Sequence, residues 1–210
     1  IDHLLASHFH VDHIGGMSKI INEFEIGTLY KPGYKVKNLG VYYTDLMSLI
    51  DDPGRDFNVV ELWSGDTIDI GDVHIEVLSP EYSQEYLAKM ADNPGTEDHN
   101  NGSLVLKMAY RENTVLLTGD IYAAKEHELI KKYGDKLKAD LIKTPHHGDT
   151  TSNEPEFVQA VKPEIAVITH FSDTTIVNNR YKDVGARTYV TGVDGMVKVA
   201  FDGTGNPAEV

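Results

Sequence analysis

Three histidines and an aspartate stand within six positions near the start of the chain. His8, His10, Asp12 and His13 lie in the segment SHFHVDHIGG, residues 7–16, directly after an apolar stretch that reads as a buried strand. Side chains two positions apart on a strand point to the same side, so His8 and His10 converge. Asp12 and His13 follow where a loop can turn them toward a second point. Neutral imidazole and carboxylate together bind zinc, iron or manganese without thiolate ligands, so the segment predicts a metal site.

Other candidate ligands follow or precede strand-like segments elsewhere in the chain. They are Asp120 in VLLTGDIY, His146 and His147 in LIKTPHHGDTTS, His170 in AVITHFS and His99 in DHNNGSLVLKM. Asp120 follows a glycine that lets the backbone turn sharply after an apolar strand. A carboxylate at such a place can bridge two metals. The pattern therefore predicts more than one metal.

The composition limits the partners and the chemistry. The 210 residues include no cysteine, which excludes thiolate ligands, thiol nucleophiles and disulfides. Lysine and arginine number 19 against 33 aspartates and glutamates, a formal net charge of −14 that opposes whole-surface attraction to long nucleic acid or anionic lipid. No apolar run approaches the roughly 20 residues of a membrane span, so we expect no membrane contact from this segment.

The order of the predicted elements indicates an α/β fold. The sequence predicts strands over 1–7, 26–32, 103–110, 114–118, 139–144 and 164–170. It predicts helices over 15–24, 36–52, 122–133 and 155–161. A hairpin is expected over 57–80 with its turn at Gly71-Asp72, irregular chain over 80–102, and a final strand pair around Asp194-Gly195. This mixed order favours two packed sheets flanked by helices, in a single domain over residues 1–210. Because a strand begins at residue 1, we expect earlier strands to be missing, and we assign no compartment, cytoplasmic or extracellular.

The motifs resemble those of the metallo-β-lactamase superfamily of binuclear metal hydrolases. His8, His10, Asp12 and His13 match its His-x-His-x-Asp-His motif in residue type and spacing. The resemblance implies a four-layer αββα sandwich that lacks its first N-terminal strand or strands. It also implies that His8 and His10 bind one metal while Asp12 and His13 bind the other.

The remaining ligands implied by the resemblance come from later segments. Asp120 in TGD is similar to the carboxylate that bridges both metals, and His99, ahead of a Gly-Ser pair, to the third histidine of the first metal, with Asn100 or Asn101 as alternatives. The last ligand of the second metal is His146 or His147. His170 competes with His146 for this role.

Within the superfamily, the segments NNGSLVLKM, VLLTGD and LIKTPHHGDTTS are most similar to the domain attached to competence-type DNA-uptake proteins (ComEC-like), and to related phosphorylcholine esterases. One element of that group, Asn-x-Tyr-x-His-Pro, is absent, and FSDTTIVNNRYKDVGA occupies its place. The resemblance therefore leaves the substrate pocket open. Lys143, Arg180 and Tyr181 are the candidates for binding an anion.

The expected function is hydrolysis of a phosphodiester bond in a small or short substrate, with long nucleic acid disfavoured by the net charge. The resemblance implies two divalent ions, zinc first and manganese or iron as alternatives, with a metal-bridging hydroxide as nucleophile. We predict Asp12, Asp120 and His147 as catalytic residues. Hydrolysis of a lactam, lactone or thioester is the enzymatic alternative. A non-hydrolytic metal-binding or di-iron redox domain is the alternative from another class.

Overall fold

A computed structural model describes residues 1–37, 39–92, 94–205 and 207–209. The strands are β1 (His3–Leu5), β2 (Thr28–Pro32), β3 (Asn58–Leu62), β4 (Thr67–Ile70), β5 (Val73–Ser79), β6 (Val105–Tyr110), β7 (Asn113–Leu117), β8 (Leu141–Lys143), β9 (Ile165–Ile168), β10 (Arg187–Val190), β11 (Val199–Phe201) and β12 (Pro207–Glu209). The helices are α1 (Val11–Ile14), α2 (Met17–Glu23), α3 (Val41–Ile50), α4 (Gln84–Asp92), α5 (Thr96–Asn101), α6 (Ala123–Tyr133), α7 (Pro155–Val161), α8 (Thr175–Asp183) and α9 (Thr191–Asp194), with short 3-10 turns at Gly134–Leu137 and Pro145–Gly148. In the described ranges, no helix combines the length and the apolar character needed to cross a bilayer.

The chain divides into two compact units. The first unit comprises residues 1–64 and 79–104, and the second comprises residues 65–78 and 105–210. Each unit holds a β-sheet, helices and its own hydrophobic core. The single domain expected over residues 1–210 stays a prediction.

The first unit is built on the parallel sheet β1-β2-β3. Its core is formed by apolar side chains from this sheet and from α1 to α4, among them Leu29, Leu46 and Met90. Phe9 belongs to this core, with its ring centroid 5.4 Å from that of Tyr34. Because Phe9 lies between His8 and His10 in the chain, its burial anchors the histidine segment to the core.

The second unit is built on a larger sheet, which among the described residues has the strand order β10-β9-β8-β7-β6-β5-β4. Strands β7, β8, β9 and β10 pair in parallel, whereas β4 with β5 and β6 with β7 form antiparallel pairs. The buried residues of β8 and β9, such as Ile142 and Ala166, pack with α6, α7 and α8. Parallel strands end at the same edge of a sheet, so the residues after β7, β8 and β9 meet there.

Several predicted elements are confirmed with shifted bounds. The hairpin at Gly71-Asp72 is confirmed by the antiparallel pairing of β4 with β5. The helices expected over 122–133 and 155–161 are α6 and α7. The α/β class is confirmed, with sheets flanked by helices.

Two predictions are wrong. The irregular chain expected over 80–102 contains α4 and α5, because Tyr86, Leu87 and Met90 of the polar-looking α4 pack on the core of the first unit. The strand pair expected around Asp194-Gly195 is absent from the described residues. Instead β10 continues into α9, whose Asp194 carboxylate accepts a hydrogen bond from the backbone N–H of Val190 at 2.6 Å.

The core of the second unit gives a first prediction. Leu116 on β7 is fully buried, so Leu116→Ala leaves a cavity and lowers the free energy of unfolding by about 2–5 kcal/mol. Ile176 on α8 is 61% exposed, and Ile176→Ala changes that free energy by less than about 0.5 kcal/mol. Urea unfolding of the two variants checks this. Equal losses for the two variants would contradict the assigned core.

Candidate functional site

The first unit gathers the histidine segment at the turn from β1 into α1. The ring centroid of His8 lies 4.9 Å from that of His10 and 4.1 Å from that of His13. The Nε2 atom of His13 lies 3.5 Å from a carboxylate oxygen of Asp12. His8 is fully buried, while the Asp12 side chain is 57% exposed. Instead of lying in a loop, Asp12 and His13 lie on the single turn of α1, which begins at Val11.

Ser7 is a residue of this site that sequence reasoning missed. Its hydroxyl oxygen lies 3.2 Å from Nδ1 of His8 and 3.1 Å from Nδ1 of His13. One hydroxyl therefore engages the same nitrogen of both rings, and Nε2 is the nitrogen that each ring presents to a ligand. A serine that precedes a histidine motif carries no spacing signal of its own, so only the structure reveals it.

His99 joins the same cluster from α5. Its ring centroid lies 5.4 Å from that of His10, and the backbone N–H of Leu104 donates to the carbonyl oxygen of Ser7 at 2.8 Å, which fixes this segment beside the motif. Burial, with His10 as a second cause, lowers the pKa of His99 and favours the neutral ring, the form that binds metal. The position expected at the mouth of a strand is in fact helical. Asn100, the alternative ligand, is also buried.

In the second unit, Asp120 follows β7 and is almost fully buried. Gly119 has a φ of +53°, which confirms the sharp turn expected before the carboxylate. The Lys143 ammonium donates to Oδ1 of Asp120 at 3.2 Å and to the carbonyl oxygen of Gly119 at 2.9 Å. Nε2 of His147 lies 3.2 Å from Oδ2 of the same carboxylate. The two oxygens of Asp120 therefore have different neighbours.

The orientation of His147 is fixed from its other side. Its Nδ1 atom lies 3.0 Å from the carbonyl oxygen of Thr169 and 3.0 Å from the Thr169 hydroxyl. Since a carbonyl oxygen only accepts, the hydrogen is on Nδ1, and Nε2 is directed to Asp120. The hydrogen bond with Asp120 is the largest influence on the pKa of His147 and raises it, against the opposing effect of burial.

The two other candidates for the last ligand have different partners. Nδ1 of His146 lies 2.8 Å from the Thr151 hydroxyl, and its ring centroid is 4.9 Å from that of Tyr122. Burial lowers the pKa of His146. The His170 ring stacks on Phe171 with a centroid distance of 4.3 Å, and its Nδ1 lies 2.8 Å from the carbonyl oxygen of Ser172. Of the three histidines, the geometry favours His147 as the partner of Asp120.

The three residues expected to bind an anion have different partners in the structure. Lys143 contacts Asp120, as described above. Tyr181 is fully buried and its hydroxyl donates to Asn153, so its predicted role is wrong. The Arg180 guanidinium donates to the backbone carbonyl oxygen of Asn153 at 2.8 Å. Arg180 therefore stabilises the backbone of its own unit.

The donor atoms fit divalent metals. Each unit combines imidazole nitrogens with a carboxylate, and the rings with lowered pKa are held neutral. Such thiolate-free sets suit zinc, manganese and iron. These histidines and aspartates, of which His8, His99 and Asp120 are buried, have the chemistry of a metal site.

The comparisons with known proteins agree with the family that the sequence motifs resemble. The family described as the metallo-beta-lactamase superfamily matches residues 1–170. ComE operon protein 3 of Bacillus subtilis is 30% identical over 181 residues, which are 86% of this chain and 21% of that protein. Recombination protein 2 of Haemophilus influenzae is 29% identical over 211 residues, which are 96% of this chain and 22% of that protein. The chain thus spans about a fifth of these relatives, and the predicted similarity to competence-type proteins is confirmed.

A solved structure supports the fold. The metallo-beta-lactamase fold protein YhfI of Bacillus subtilis matches with a TM-score of 0.57 and 12% identity, covering 90% of this chain and 74% of that chain. At this identity the match shows the fold alone. It confirms the predicted fold class.

The Asp120–His147 contact gives a prediction for metal-stripped protein. Asp120→Asn removes the negative partner, so the pKa of His147 falls, as measured by NMR titration of the ring. Because the contact raises that pKa above about 6.5, its stabilisation is present below pH 6.5 and is lost as the pH rises through the raised value. Asp120→Asn therefore costs more stability at pH 6 than at pH 8.

Asp149→Asn is the matched control, because Asp149 lies in the same loop but does not contribute to the shift of His147. We expect this variant to leave the His147 pKa at its wild-type value. An unchanged pKa in Asp120→Asn would contradict the contact.

Proposed function

Because this chain belongs to the metallo-β-lactamase superfamily, we propose that it is a binuclear metal-dependent hydrolase of phosphodiester bonds. One observation carries the proposal: each imidazole and carboxylate of the family motif lies against another member within its own unit. His8, His10 and His99 form one chain of ring contacts, and Asp120 pairs with His147. A degenerate domain without turnover would not need to keep these contacts.

The proposed ligands follow the motif and the local geometry. In the first unit, His8, His10 and His99 would hold one metal, and Asp12 and His13 would serve the other. In the second unit, His147 and Asp120, the carboxylate that the motif resemblance assigns to both metals, would be the ligands. His147 replaces His146 and His170 in this role because its Nε2 is already directed at Asp120.

Divalent metals at such ligands lower the pKa of water toward about 7 and neutralise charge on a phosphoryl oxygen. The protein side chains prepare the site for this chemistry. The Lys143 ammonium donates to Oδ1 of Asp120, and Oδ2 of the same carboxylate faces His147. The ammonium also places a positive charge beside the carboxylate, where an anionic substrate needs one in a chain of net charge −14.

His146 is proposed as the proton donor to the departing oxygen. Its ring is half-buried, and Thr151 and Tyr122 hold it in the turn that also carries His147. Because the pKa of His146 is lowered, the protonated fraction of its ring, which is the form that acts as a general acid, increases as the pH falls below neutral.

The proposed substrate is a short phosphodiester. The net charge disfavours long nucleic acid, but one relative is named for recombination, a process of DNA. Short DNA strands therefore belong among the first substrates to test. Low ionic strength would expose any charge repulsion, because salt screens it.

Asp120→Ala tests the proposal. Removal of the shared carboxylate lowers the rate on bis-p-nitrophenyl phosphate by more than ~100-fold, because even residues that only support ligands cost 10–100-fold. The far-ultraviolet circular dichroism spectrum stays that of the wild type. Initial rates after addition of zinc or manganese to metal-stripped protein, with elemental analysis of bound metal, provide the measurement.

His74→Ala is the control, since His74 forms an exposed pair with Asp69 on the β4–β5 hairpin. We expect wild-type rates from it. Full activity in Asp120→Ala would contradict the proposed site. Turnover of nitrocefin, a lactone or a thioester in place of the phosphodiester would favour the alternative hydrolase, and bound iron with redox cycling would favour the di-iron domain.

A further inference from the structure

The turn that carries His146 and His147 has an unusual backbone. His146 has φ and ψ of 46° and 50°, and His147 has 52° and 22°, so two consecutive non-glycine residues lie in the left-handed region. Gly148 follows with a φ of +77°, and a Cβ at this position would meet Ile168 at 2.7 Å. The left-handed region is unfavourable for residues other than glycine, because the Cβ approaches the following carbonyl oxygen. Other contacts must therefore hold the turn in this shape.

Asn153 makes contacts at both ends of the turn. Its side-chain amide donates to the carbonyl oxygen of Pro145 and to that of Asp149, both at 3.0 Å. These two carbonyls flank the histidine pair in the sequence. Asn153 is fully buried and has a φ of +64°, a conformation that asparagine adopts more readily than most residues. The Asn153 amide thus links the two ends of the turn by hydrogen bonds.

Asn153 is itself fixed by two buried groups on neighbouring helices. The carboxylate of Glu126 on α6 accepts hydrogen bonds from the backbone N–H groups of Asn153 at 2.5 Å and Glu154 at 2.9 Å. The Tyr181 hydroxyl on α8 donates to Oδ1 of Asn153 at 3.0 Å. Because the carbonyl oxygens of Pro145 and Asp149 only accept, the NH₂ group faces the turn, and the Tyr181 hydroxyl completes this orientation by donating to Oδ1.

We propose that Asn153, held by Glu126 and Tyr181, is a positioning residue that fixes the His146–His147 turn and so sets the affinity of the metal site that His147 serves. The assignment of that metal rests on the proposed function. The effect on the turn itself does not, because every contact in the network joins residues of this chain to one another. None of the three residues follows a metal-ligand spacing, which is why the sequence gives no indication of this role.

The burial of Glu126 supports the argument. Its side chain is inaccessible to solvent, and among the described residues the charged groups that influence its pKa are Glu154 and Arg180. Desolvation dominates and raises its pKa to about 7. A buried carboxyl group destabilises a fold unless hydrogen bonds compensate for its removal from water. Here both oxygens bind the backbone at the end of the turn.

Asn153→Asp is the most specific test. It keeps the shape of the side chain but replaces the NH₂ donor with an oxygen that faces two carbonyl oxygens. Competition with a chromophoric chelator measures the two successive zinc affinities. We expect one affinity to fall about 10–100-fold, in the range found when a residue that supports a ligand is changed, and the other to stay within about twofold.

Tyr181→Phe removes a single hydroxyl from the network and should give a smaller loss in the same affinity. Asn178→Asp is the matched control. Asn178 is a buried asparagine of the same unit whose side-chain amide donates to Asp173 and not to a carbonyl of the turn. This control is expected to lower the melting temperature while both zinc affinities remain those of the wild type.

A second readout uses metal-stripped protein. The ring ¹⁵N chemical shifts of His147 change in Asn153→Asp and stay unchanged in Asn178→Asp, with both variants measured below their melting temperatures. If the wild type binds fewer than two metals, the proposed function fails, and these shifts still decide the positioning role. Unchanged His147 shifts in Asn153→Asp, or equal falls in both zinc affinities, would overturn it.

Discussion

The candidate site of the second unit depends on the parallel pairing of β7, β8 and β9. Leu117 is paired with Lys143, and Lys143 with Val167, so the three strands end in register at one edge of the sheet. Asp120 lies three residues beyond Leu117, and His147 lies four residues beyond Lys143. Groups separated by more than twenty positions in the chain thereby come within hydrogen-bond distance. A slip in the β7–β8 register would separate the carboxylate from its imidazole, and a slip in the β8–β9 register would separate His147 from Thr169.

Groups at the same edge of the sheet compensate for the burial of the Asp120 carboxylate in the second unit. Asp120 is buried, and a buried carboxylate needs compensation. Lys143 at the end of β8 and His147 in the following turn provide it from two sides, and Thr169 after β9 orients the imidazole. Each of three adjacent strands thus contributes one part of the arrangement. In the first unit a single hydroxyl, that of Ser7, orients two rings.

The sequence predicted the residues of the site better than it predicted their supports. His8, His10 and Asp120 stand out because histidines and an aspartate recur at strand ends in a spacing that matches a family motif. Neither Ser7 nor Asn153 has such a signal, since their roles depend on contacts across the fold. The choice among His146, His147 and His170 was likewise beyond the sequence. It depends on two left-handed backbone conformations that no residue pattern specifies.

The central proposal is that the chain binds two metals through its motif residues and that His147, rather than His146 or His170, is one of the ligands. Anomalous X-ray diffraction from zinc-loaded crystals tests it most directly. The account predicts two zinc peaks per chain, one of which lies at Asp120 and Nε2 of His147. A single peak, or two peaks with His146 or His170 in place of His147, would contradict it.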